Sequence, residues 1–106
     1  MIDRFMRIML FFDLPAVTRT DKREYLKFKK VLKKRGFMML QESVYTKLAL
    51  NQSVVDSTMK QIKDLLPKEG LVSVLTITEQ QFSSIEHLLG SIESEQIISE
   101  DKVIKL

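Results

Sequence analysis

From Phe5 to Asp13 the chain reads FMRIMLFFD, followed at once by Leu14-Pro15. Apart from Arg7 the run is apolar almost without a break, and it does not alternate. So short a continuous apolar stretch implies a strand covered on both faces, in the middle of a sheet. Its closing carboxylate then lies where core meets solvent, and Pro15 bars a helix from continuing the strand. Asp13 is therefore a candidate of two kinds: a turn residue before Leu14-Pro15, where aspartate is common, or a carboxylate placed for chemistry.

The rest of the chain supplies elements to build around that strand. Thr18, Thr20 and Asp21 offer caps for a helix whose stripe is Tyr25, Phe28 and Leu32, flanked by Val31, and which ends at Gly36. Phe37 to Leu40 is an extended run, and Ser43 to Leu50 alternates as a half-buried strand. Only Gln41-Glu42 separates the two, so they form either one long bent strand or a bulged pair. Asn51-Gln52-Ser53 opens a second helix, with Ser53 and Asp56 spaced as cap and third residue. Its apolar face is Val55, Met59, Ile62 and Leu66, and Pro67 stops it. Leu71 to Ile77, β-branched and apolar, reads as another buried strand. Thr78 caps a short helical turn to Phe82. Ile85 to Leu89 is helix or strand, Gly90 to Glu95 a polar linker, and Ile97 to Leu106 a terminal hairpin or strand suited to extending a sheet edge.

The order strand–helix–strand–strand–helix–strand is the ferredoxin-like βαββαβ arrangement, an α+β fold with both helices on one face of an antiparallel sheet. Residues 1–82 would form that domain and 83–106 a C-terminal extension. The other face of a doubly apolar first strand needs a cover, and the simplest is a second copy of the chain: a homodimer joined through the sheet face.

With 106 residues there is room for one core. No apolar run reaches the roughly 20 residues needed to span a bilayer. Arg4 and Arg7 interrupt the N-terminal apolar stretch and no small-residue cleavage site follows, so neither a membrane span nor a signal peptide is expected. The absence of cysteine removes disulfide and thiolate chemistry and points to the cytoplasm. The lone His87, a surface or interface residue, rules out a histidine-rich metal site. The net charge of +3 is unevenly placed. Arg19, Lys22, Arg23, Lys27, Lys29, Lys30, Lys33, Lys34 and Arg35 crowd the first helix and its end, whereas Glu79, Glu86, Glu93, Glu95, Glu100 and Asp101 make the later chain acidic. Rows of cations suit a polyanion backbone, because phosphate contacts need charge rather than a particular geometry. Val72-Ser73-Val74 and its neighbours carry none of the RNP-type aromatics, so an RNA-recognition module is disfavoured; Phe11 and Phe12 could form such a platform but are expected in the core. Ser43 has no visible base and is no nucleophile; it and Gln41 serve the strand junction and could meet the region near Asp13. Tyr45 is open to two readings, a phosphate contact or an interface residue.

Several stretches coincide with one family. FFDLP after strand one, KKRGFMMLQESVYTKL through the middle and EGLVSVLTITEQQF after the second helix resemble the second of the core CRISPR-associated (Cas) adaptation proteins. The likeness runs from about Met6 to Phe82 and is nearest to members from single-effector systems. It implies the same ferredoxin-like homodimer, which bridges Cas integrase dimers and holds duplex DNA while new spacers are acquired. It also implies a metal-dependent endonuclease, acting on RNA in the family's name, with Asp13 and its symmetry mate binding magnesium as the catalytic and metal residues. Phe12 stands where many members have tyrosine, which removes a hydroxyl that could position water or phosphate. Three readings thus stand: a duplex-binding adaptation scaffold, a magnesium-dependent endoribonuclease, and a ferredoxin-like regulatory domain for a small ligand.

Overall fold

Strand β1 (Met6–Asp13) pairs along its length with two antiparallel neighbours, β3 (Val44–Ala49) and β4 (Leu71–Thr78), in a computed structural model that describes residues 5–91. A shorter strand, β2 (Met38–Gln41), pairs with β3, so the sheet order is β2-β3-β1-β4. With the helices α1 (Arg19–Lys34) and α2 (Gln52–Lys63) between strands, this is the ferredoxin-like topology expected from the element order. A last short helix, α3 (Glu79–Ser83), follows β4 directly.

The pleat of β1 divides its side chains between the two faces. Ile8, Leu10 and Phe12 point toward the helices and join Phe28 and Leu32 of α1 and Val55 and Ile62 of α2 in one buried cluster. Phe12 is its aromatic centre, with Phe28, Tyr25 and Tyr45 rings 5.5 to 5.9 Å away, two of them edge-on. Arg7, Met9, Phe11 and Asp13 take the opposite face, beside Val44, Thr46 and Leu48 of β3 and Leu71, Ser73, Leu75 and Ile77 of β4.

Local chemistry explains the helix ends. Thr18 caps α1 in a full capping box: its hydroxyl accepts from Asp21 N, and the Asp21 carboxylate accepts from the Thr18 and Val17 amides. At the other end Gly36 has φ +92°, and Lys47 of β3 donates to Arg35 O at 2.7 Å, covering a carbonyl the helix leaves unpaired. A Cβ at Gly36 would also crowd the Lys47 side chain at 3.3 Å.

Of the two arrangements open for residues 37–50 the structure has the bulged pair: β2 and β3 are joined at Glu42-Ser43, with a register irregularity between Met39 and Gln41. Several other expectations change. The cap of α2 is Asn51, whose side chain accepts from Val54 N, rather than Ser53. The helix ends at Lys63, before Pro67, which leaves Leu66 exposed. Strand β4 is a sheet edge and not a buried strand: Leu71, Ser73, Val74 and Leu75 are all exposed. Phe11 is 39 % exposed and so does not share the core with Phe12, because it points away from the helices. Tyr45 is wholly buried on the helix side, which excludes both a phosphate contact and an interface position within this fold. Ile85 to Leu89 is neither helix nor strand, and Leu88 and Leu89 are almost fully exposed. The linker beyond Ser91 and the expected terminal strand lie outside the described residues.

Arg7 is not a mere interruption of β1. It is 2 % exposed, and its Nε and Nη2 donate to Oε1 and Oε2 of Glu79 at 2.8 Å each. The guanidinium also lies over the Phe82 ring, 4.2 Å from its centroid. Glu79 therefore belongs to a buried, bidentate ion pair that fastens α3 to the open face of the sheet, and not to an acidic surface.

Candidate nucleic-acid interface and the Asp13 edge

Asp13 is the exposed last residue of β1, opposite Leu71 of β4, on the face the helices leave open. Its surroundings there are apolar and uncovered: Phe11 is 39 %, Leu75 54 % and Leu71 64 % exposed. The backbone behind it is tightly held. Gly70, at φ +113°, approaches so closely that a Cβ would lie 2.6 Å from Leu14 Cδ2 and 2.8 Å from Asp13 O. Only glycine fits both that conformation and that space. On the other side, Phe12 N donates to Ser43 O at 3.1 Å, so the β2–β3 turn does reach the strand end beside Asp13. Gln41 is exposed and pairs with Val44 at the end of the β2–β3 hairpin.

Among the described residues, no three His, Cys, Asp or Glu side chains come together as a metal site. One chain thus offers a single carboxylate at Asp13. Oxygen alone suits a hard cation such as magnesium, which keeps several waters and is bound by one or two carboxylates. It does not suit a four-coordinate N/S metal. The donor set fits magnesium best if a second carboxylate comes from another subunit.

The cations of α1 share an exposed surface. Arg19, Lys22, Arg23, Lys27, Lys30, Lys33 and Lys34, with Arg35 at the cap, are all exposed, while Phe28 and Leu32 hold the opposite side of the helix in the core. Arg23, Leu26, Lys27, Lys29, Lys30 and Lys33 line one shallow open groove. Sixteen residues of helix span about 24 Å at 1.5 Å per residue. That length matches about seven phosphates of one strand at 3.4 Å each.

Lys29 differs from its neighbours. Its ammonium lies 3.1 Å from Glu42 Oε2, its side chain is 21 % exposed, and it sits 5.2 Å from the Tyr25 ring centroid. The Tyr25 hydroxyl donates to the same carboxylate oxygen at 3.1 Å. These contacts set the electrostatics of the corner. Hydrogen bonds from Lys29 and then Tyr25 hold the Glu42 carboxyl below its ordinary value, and the Glu42 bond raises Lys29. Burial, followed by the bond to Glu42, raises the Tyr25 phenol. Burial also raises Tyr45, whose hydroxyl has no hydrogen-bond partner among the described residues.

The expected site residues therefore divide in two. The α1 cations form one surface, whereas Asp13 stands at the sheet end on the open face. Sequence reasoning missed Glu42, because QE between two strands reads as a turn. The available signal was its position in a hairpin whose partner strand leads back to the basic helix.

Comparison with known proteins finds relatives over most of the chain. The sequence model of the family described as CRISPR associated protein Cas2 matches residues 6–85. The chain is 43 % identical over 101 residues to the CRISPR-associated endoribonuclease Cas2 of Treponema denticola, covering 95 % of this chain and 100 % of that protein. It is 42 % identical over 85 residues to the protein of the same name from Ligilactobacillus salivarius, covering 80 % of this chain and 84 % of that one. With the Streptococcus mutans UA159 protein, again of that name, identity is 38 % over 101 residues, or 95 % and 93 % of the two chains. The matched span runs from the start of β1 through α3 and contains Asp13, Gly70 and the whole basic helix. The chain belongs to the CRISPR-associated Cas2 family.

Proposed function

We propose that this protein acts in CRISPR adaptation as a homodimer that binds duplex DNA along α1 and presents it to Cas integrase dimers. The observation that carries the reading is the exposed cationic row Arg23, Lys27, Lys30 and Lys33 on one face of a helix whose other face is core. The open sheet face, with Phe11, Leu71 and Leu75 uncovered, supports pairing with a second copy, which would set two such helices in one assembly. Duplex binding is measured against salt for wild type and for Lys27→Ala/Lys30→Ala/Lys33→Ala. The slope of log K on log salt is about −0.9 per phosphate neutralised. Losing three contacts per subunit therefore flattens it by about 2.7 per subunit engaged. An unchanged affinity and slope sink the reading.

A second reading concerns catalysis. The relatives are named endoribonucleases, and Asp13 is an exposed carboxylate on a backbone held by Gly70 and Ser43. In this reading Asp13 and its mate in the second subunit hold a magnesium ion, which when bound supplies Lewis-acid chemistry at a phosphodiester of RNA or DNA. Asp13→Ala is expected to lose magnesium-dependent cleavage and keep both the dimer and duplex binding. Cleavage at the wild-type rate assigns the activity elsewhere. A small-ligand regulatory role has less support: the cleft at Leu14, Pro15, Tyr25 and Pro67 is about 180 Å³. Ligand pockets usually run about 300–1,000 Å³.

A further inference from the structure

Among the described residues, Glu42 is the acidic group outside the basic helix that forms an ion pair with one of its cations, Lys29 of the groove. Lys29 lines that groove with Arg23, Lys27, Lys30 and Lys33, yet its ammonium is turned to Glu42. Among the described residues, no other cation of α1 makes an ion pair. The pair is open to water on the carboxylate side, where Glu42 is 66 % exposed. An exposed ion pair of this kind is weak and can be exchanged for another anion. A nucleic-acid phosphate brings an equal or larger charge and several acceptor oxygens to the same ammonium.

We infer that Glu42 is a built-in brake on nucleic-acid binding: it occupies Lys29 in the free protein and must yield that lysine to a phosphate when the groove fills. The inference rests on the proposed use of α1 as the phosphate track. Two electrostatic consequences follow. Each Lys29–phosphate contact is made at the expense of the Lys29–Glu42 contact. In addition, the released carboxylate remains beside the track, where it repels phosphate and takes up a cation, offsetting the counterion release that drives binding. Tyr25 gives Glu42 somewhere to stay, because its hydroxyl already donates to the same oxygen and does not depend on Lys29. The brake therefore lowers affinity without unfolding the turn.

The test is duplex binding to the full-length protein at several salt concentrations for wild type, Glu42→Gln, Lys29→Ala and the double variant. Glutamine keeps the shape and can still accept from Tyr25, so folding is preserved and is checked by thermal unfolding. Glu42→Gln is expected to bind more tightly and with a slope steeper by about 0.9 per subunit engaged. Its advantage over wild type then shrinks about threefold between 50 and 200 mM salt, one contact's share of the salt effect. Most of the gain disappears in the Lys29→Ala background, as a double-mutant cycle shows. If Glu42→Gln matches wild type while Lys27→Ala/Lys30→Ala/Lys33→Ala loses binding, the track stands and the brake is wrong. If no α1 substitution alters binding, both fall together. A gain of equal size with and without Lys29 also overturns the inference, since Glu42 would then act by general charge alone.

Discussion

The Arg7–Glu79 pair offers a sharp test of how the sheet face is held. The two side chains are 3 % and 9 % exposed and share two bonds of 2.8 Å, with Phe82 packed over the guanidinium. Glu79→Ala would strand a guanidinium between β1 and α3 with a benzene ring as its remaining neighbour. Breaking a buried pair from one side costs about 3–5 kcal/mol, because the surviving charge stays desolvated. At roughly 4 °C per kcal/mol, suited to a domain near 100 residues, melting falls by about 12–20 °C. Arg7→Met/Glu79→Leu removes both charges and fills the space with apolar groups, and is expected to recover most of the loss, since such replacements are often neutral or better. The assay is urea unfolding followed by circular dichroism at one fixed protomer concentration, because association shifts apparent stability. A Glu79→Ala cost below about 1 kcal/mol, the value of an exposed pair, would refute the reasoning. So would a double variant as unstable as the sum of the singles.

Other outcomes follow from single contacts. Gly70→Ala forces a side chain into φ +113° and against Asp13 O, and should cost about 1–3 kcal/mol of stability; a neutral result by thermal unfolding would mean the Asp13 edge is not tightly held. Asn51→Ala removes the α2 cap and should cost about 1 kcal/mol in the same assay. Acid should weaken the fold through Asp21 and Glu42, whose carboxyls are held below their ordinary values of 3.8 and 4.5, Asp21 first by the Thr18 amide and Glu42 first by Lys29. Their contribution is complete above those ordinary values and is lost as pH falls through the lower folded ones. Asp21→Asn and Glu42→Gln should therefore each show a shallower loss of stability below pH 4.5 than wild type, and parallel acid curves would count against both contacts.

Much of this molecule was legible in one dimension. The element order and the helix stripe of Phe28 and Leu32 could be read directly, but β1 is apolar at both parities, so its sequence does not say whether Ile8, Leu10 and Phe12 or Met9 and Phe11 meet α1. Thr18 and Thr78 could be read as caps, and the structure closes each as a capping box, whereas the Ser53–Asp56 spacing that suggested a box at α2 is unused because Asn51 caps that helix. Strand β4 was harder, because VSVLTI is apolar whether it lies inside a sheet or waits at an edge for a partner. Phe11 was misplaced for a related reason: adjacent phenylalanines on a strand point to opposite faces, and the face Phe11 takes is not the one packed under α1 and α2. The ion pairs were illegible because nothing local marks them. Arg7 and Glu79 are 72 residues apart, and a lone charge in an apolar strand states only that it needs a partner. Asp13 was visible as a candidate, but its apolar surroundings come from β4 and its tight backbone from Gly70, both brought there by the sheet.

The same buried charges also bear on how the sheet assembles. A slide of β4 by two residues that sets Leu75 opposite Arg7 keeps every side chain on its original face and exchanges one apolar neighbour for another, so hydrophobicity scarcely distinguishes it from the native pairing of Arg7 with Ile77. That slide carries Glu79 about 7 Å along the strand, at 3.4 Å per residue. The guanidinium of Arg7 would then be left among methyl groups with no acceptor. The pair thus acts as a proofreading mark for strand alignment, penalising an error that greasy strands would otherwise tolerate.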